Sequence, residues 1–147
     1  MLEERTFQWK PVLWAAIVIF VLSNVLVSLV PAIYGTYIGF QTRGDMELVN
    51  LGVASLVRAP MFAVYFYLVL AGISLWRGFV LARKVSARVL LHTGVAGAIA
   101  VVLPVILAFV AGDGLTLIEW GAQVVAIFGG IYLGAYLGQL KTEVVEA

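Results

Sequence analysis

Four long stretches of this 147-residue chain carry no acidic or basic residue apart from one histidine, and they constrain the fold more than any other feature. They lie between Lys10 and Arg43, Arg58 and Arg77, Arg88 and Asp113, and Glu119 and Lys141. A helix crossing a bilayer needs about 20 mostly apolar residues, and each stretch supplies about that many or more. Hydrophobic residues make up 63% of the chain and charged residues 12%, against about 45–50% and about 25% in soluble domains. The polar shell of a soluble domain cannot be built from this composition, so the apolar excess must face lipid. The expected fold is an all-α integral membrane protein, a four-transmembrane-helix bundle forming one domain over 1–147, with spans near 12–40, 59–76, 89–112 and 117–140.

Basic residues set the expected orientation, because Lys and Arg in short loops are retained on the cytoplasmic side. With four spans, both termini share a side with the middle loop. That side carries Arg5, Lys10, Arg77, Arg83, Lys84, Arg88 and Lys141, and the other only Arg43 and Arg58. Both termini are therefore expected in the cytoplasm, and the setting is expected to be a prokaryotic cytoplasmic membrane. Trp9, Trp14, Trp76 and Trp120 fall near the predicted interfaces, where an amphipathic ring is favoured. Arg77, Arg83, Lys84 and Arg88, with no acid among them, are candidates for contact with lipid headgroups. The first span is longer than the apolar core of a secretory signal and has no convincing cleavage site after it, so it reads as a retained anchor.

Local signals refine this outline. Pro31 is expected to kink the overlong first span, freeing its Tyr34 to Phe40 end to tilt or break away. Between Arg43 and Arg58, the residues Arg43, Glu47, Asn50 and Arg58 fall on one face of a short amphipathic helix lying at the outer interface, and Pro60 suits the start of the next helix. Thr116 and Glu119 have the spacing of a capping box, which accounts for Glu119 without catalytic chemistry.

Little in the chain points to catalysis. Cysteine is absent, so thiolate metal sites and disulfides are excluded, and one histidine without a membrane-embedded carboxylate gives no nucleophilic triad or metal cluster. His92 is expected to hydrogen-bond at the interface rather than ligate a macrocycle, and no cofactor is expected. A net charge of +1 gives no basic surface for nucleic acid.

Two constellations remain. At 1.5 Å per residue, Asn24 lies about 18 Å from one boundary, while Tyr65 and Gln123 lie about 9 Å from the other, so the three are nearly level in a core of roughly 30 Å. Pro104 frees the Ala100 carbonyl near the same depth. Polar groups in hydrocarbon need partners, so Asn24 and Gln123 are expected to form interhelical hydrogen bonds, a small binding or permeation site being the alternative. Gly130, Gly134 and Gly138, with Ala126 before them, make a smooth strip on the last span where another backbone can approach, either from this chain or from a partner. The string Gly35-Thr-Tyr-Ile-Gly39 resembles Gly134-Ala-Tyr-Leu-Gly138 in pattern, without clear sign of a repeat. These features suggest a non-enzymatic structural or accessory subunit of a membrane assembly, surrounded by lipid and forming a homo-oligomer or a larger membrane-protein complex. The alternative is a small homo-oligomeric transporter or channel using the polar layer.

Overall fold

The computed structural model describes residues 7–85, 88–111 and 116–145, the side chains of 111 and 141–145 excepted. Arg5, Asp113 and the side chain of Lys141 thus lie outside the described residues. The described residues form five helices and no strand: α1 (Trp9–Gln41), α2 (Met46–Arg58), α3 (Pro60–Lys84), α4 (Val89–Ala111) and α5 (Leu117–Val145). Four of them, over Trp9–Gln41, Pro60–Lys84, Val89–Val110 and Leu117–Leu140, are long and apolar enough to cross a membrane.

Local chemistry explains most helix ends. The Asp45 carboxylate caps α2 by accepting from the Glu47 and Leu48 amides at 3.0 and 3.3 Å. Just before it the chain leaves α1 through Gly44, whose φ of 84° is open to glycine without steric penalty. Arg43 sits in that turn rather than on α2, so the polar face of α2 is shorter than the sequence spacing suggests. Pro60 opens α3, where its missing amide costs no helical bond. At α5 the Thr116 and Glu119 groups satisfy each other: the Thr116 amide and hydroxyl donate to Glu119 Oε2 at 2.9 and 2.8 Å, and the Glu119 amide donates to Thr116 Oγ1 at 3.3 Å.

Two expected boundaries move. α1 runs unbroken through Pro31, so its far end does not separate; it is occupied instead by α2, with Val53 and Val49 against Gly35 and Gly39. α3 continues beyond Arg77 to Lys84, because Arg77 is buried and the residues after it include the buried Gly78, Leu81 and Ala82. A charge marks where hydrocarbon ends only if its side chain reaches the water.

The four long helices form a ring in the order α1, α3, α5, α4, with α1 and α4 also in contact. The α3–α5 contact is the most extensive, whereas the backbones of the diagonal helices α1 and α5 do not approach each other closely. The centre is built of small and branched residues, among them Ala15, Ala16, Ile19, Ala96, Ala100 and Ile131. Large apolar side chains point outward, as Phe109 does at 87% exposure. Lipid tails solvate such side chains as well as a protein core would, so close packing of small residues, not apolar burial, holds the helices together.

Candidate functional site: a polar cavity where four helices meet

Gly130, Gly134 and Gly138 all face α3. A methyl group on Gly134 would overlap the carbonyl oxygen of Leu75, one on Gly130 would meet Ala71 and Ser74, and one on Gly138 would meet Phe79 and Ala82. α3 contributes Gly78, which lies against the carbonyl of Ile131. Higher numbers on α5 meet higher numbers on α3, so the two helices run parallel. The neighbour that the sequence left open is thus a span of the same chain. Gly78 was missed although the sequence holds its signal: Ser74, Gly78 and Ala82 follow at intervals of four and form the small-residue face of α3 that meets the glycines of α5.

Locking α5 to α3 leaves the centre between the diagonal helices less well filled. There, a cavity of about 210 Å³ is lined by all four long helices: Ser23 and Asn24 from α1, Phe66 and Leu70 from α3, Ala100 and Pro104 from α4, and Gln123 and Ile127 from α5, among others. Ser23 is 2% exposed and Gln123 8%, yet Ser23 Oγ and Gln123 Oε1 have no hydrogen-bond partner. Pro104 has no amide to offer the Ala100 carbonyl one turn earlier. Asn24 stands at the exposed edge, its Nδ2 donating to the Phe20 carbonyl of its own helix at 2.7 Å.

The expected interhelical bonds of Asn24 and Gln123 are therefore absent. The reason is the ring order, which places α1 and α5 across a diagonal with the cavity between them. Tyr65 belongs elsewhere, since its hydroxyl donates to the Leu26 carbonyl at 2.8 Å and ties α3 to α1 away from the cavity lining. Sequence depth alone brought Asn24 and Gln123 to one level. It missed Ser23 because a serine in a helix commonly bonds its own backbone, as Ser28 does to Val25.

Among the described residues, no charged side chain lines the cavity. Of the proposed headgroup residues, Arg83 and Lys84 are exposed, with the Arg83 guanidinium 5.5 Å from the Phe79 ring centre. Arg77 is only 6% exposed, with its guanidinium 5.3 Å from the centre of Trp76. It is thus a buried cation beside an aromatic face rather than a member of the surface cluster. Arg88 adopts a left-handed φ of 51° just before α4, and its carbonyl serves His92.

His92 is 3% exposed and joins two distant parts of the chain. Its Nδ1 lies 2.9 Å from the Arg88 carbonyl, and its Nε2 accepts from the Gln8 amide at 3.0 Å. These bonds assign the neutral tautomer with the proton on Nδ1 and leave no ring nitrogen free as a ligand. Phe7 stacks on the imidazole at 4.2 Å, 5° from parallel. His92→Leu should loosen the start of α1, since it removes the hydrogen bond that the Gln8 amide makes there, worth about 0.5–1.5 kcal/mol. Hydrogen exchange at the Gln8 amide should accelerate by about two- to tenfold; an unchanged rate would show that His92 does not hold this segment.

Among the described residues, no group of three histidine, cysteine or acidic side chains is arranged to hold a metal. No family model, curated protein or solved structure matches the chain.

Proposed function

We propose that this chain is a non-enzymatic integral membrane protein that binds a small uncharged polar solute between its four long helices, acting as a small transporter or channel. The observation that supports this reading is the cavity itself: Ser23 and Gln123, both more than nine-tenths buried, present polar atoms without partners to one space. Buried polar groups left unpaired in hydrocarbon each cost several kcal/mol, so an occupant with hydrogen-bonding groups is favoured there. Since the lining carries no charge among the described residues, a neutral solute fits better than an ion, whose charge would have no counterpart near the membrane centre.

Proteoliposomes loaded against urea, acetamide and glycerol test this by light scattering. At least one of the three should cross faster than through protein-free vesicles, and Ser23→Leu, which fills the cavity, should return the rate to that of lipid alone. No acceleration for any of the three would reject the solute reading.

A second reading, an accessory subunit of a homo-oligomer or larger membrane assembly, is favoured by α2. None of its 13 residues is buried, and Leu48 and Leu51, one turn apart, expose apolar side chains on one face that a partner would cover.

In either case we place the protein in a prokaryotic cytoplasmic membrane with both termini inside, because seven of its nine basic residues fall on that side. A cysteine at position 50 should react with an impermeant thiol reagent in intact cells, and one at position 83 should not. The opposite pattern would invert the orientation.

A further inference from the structure

A second groove lies apart from the central cavity, along the first turns of α1. It encloses about 870 Å³ and is bounded by Trp9, Lys10, Leu13, Trp14 and Ile17 of α1 and by Lys84 at the end of α3. Lys10, Leu13, Trp14 and Ile17 recur every three or four residues, so they form one helix face about 10 Å long. That face has a gradient, with an ammonium group at the start of the helix and only apolar side chains further in. α3 runs antiparallel to α1, which brings Lys84 to the same end. Both helices begin or end their apolar runs there, so the charged mouth of the groove lies at a membrane–water boundary.

We propose that this groove is a binding site for one anionic phospholipid. Lys10 and Lys84 would meet the phosphate, and an acyl chain would lie along Leu13, Trp14 and Ile17. Charge complementarity selects this occupant: among the described residues, the lining carries two ammonium groups and no carboxylate. A zwitterionic lipid brings a cation that the two lysines repel, and a soluble anion would leave the apolar floor uncovered. Trp9 and Trp14, each 57% exposed, flank the groove at the depth where an indole favours the headgroup boundary. The site differs from the surface cluster read from the sequence. Arg77 is buried and Arg83 rests against Phe79, so of that cluster only Lys84 lines the groove.

The two tryptophans also report on the site. In a variant with Trp76 and Trp120 replaced by phenylalanine, the remaining indoles are Trp9 and Trp14. This variant is reconstituted in phosphatidylcholine vesicles containing a minor fraction of either brominated phosphatidylglycerol or brominated phosphatidylcholine. Two basic residues near a bilayer surface give a preference for anionic lipid on the order of tenfold, so the anionic probe should quench at about a tenth of the fraction the zwitterionic one requires. The double substitution Lys10→Gln and Lys84→Gln should abolish that preference, whereas Arg83→Gln should preserve it. Equal quenching by the two lipids, a preference that survives the double substitution, or an equal loss with Arg83→Gln would overturn the proposal in favour of ordinary surrounding lipid or of diffuse charge at this end of the bundle.

Discussion

Gly134→Leu is expected to prevent the chain from reaching its native fold. The substituted Cβ would coincide with the Leu75 carbonyl and crowd the Phe79 amide, both backbone groups of α3 that cannot rotate aside. α3 and α5 would have to separate along their whole contact, at a cost of at least about 3 kcal/mol. Even Gly134→Ala should be damaging, because the first carbon beyond the backbone already meets the obstacle. Gly129 provides a control on the same helix: a Cβ there has nothing within 4 Å, so Gly129→Ala should stay within about 1 kcal/mol of the parent. Thermal melting and size-exclusion profiles of the three variants in one detergent check this. Parent-like behaviour of Gly134→Ala would mean that the parallel α3–α5 contact is not the seam of the bundle.

Gln123→Leu should separate stability from function. A polar group that bonded across the bundle would leave a protein less stable when replaced by leucine. Gln123 Oε1 makes no such bond, and removing an unpaired buried acceptor relieves a penalty of about 1–3 kcal/mol. The melting temperature of this variant in detergent should therefore hold or rise. The cavity would lose its polar wall on α5, and solute flux in proteoliposomes should fall to that of lipid alone. A lower melting temperature together with unchanged flux would make Gln123 a structural residue and sever the cavity from transport.

The sequence by itself determined that four helices are long and apolar enough to cross a membrane, and how two of the helices start. Charges that bound apolar runs, a proline at a first helical position, and the Thr116–Glu119 pair all act within a few residues, so their meaning survives without knowledge of the fold. The Asp45 cap of α2 is equally local, since its carboxylate accepts from amides two and three residues on.

The tertiary structure decided which faces look inward. In water, a helix declares its buried face by polarity; in lipid, both faces are apolar and that signal fades. Leu70 and Leu68 read alike in the sequence, yet the first lines the central cavity and the second is 67% exposed. The pairing of α5 with α3 and the diagonal that keeps Gln123 from Ser23 depend on the ring order, as does the bond from Gln8 to His92 across 84 positions. Ring order follows from how small and large residues fit across helices distant in sequence, a property of packed surfaces that no local pattern encodes.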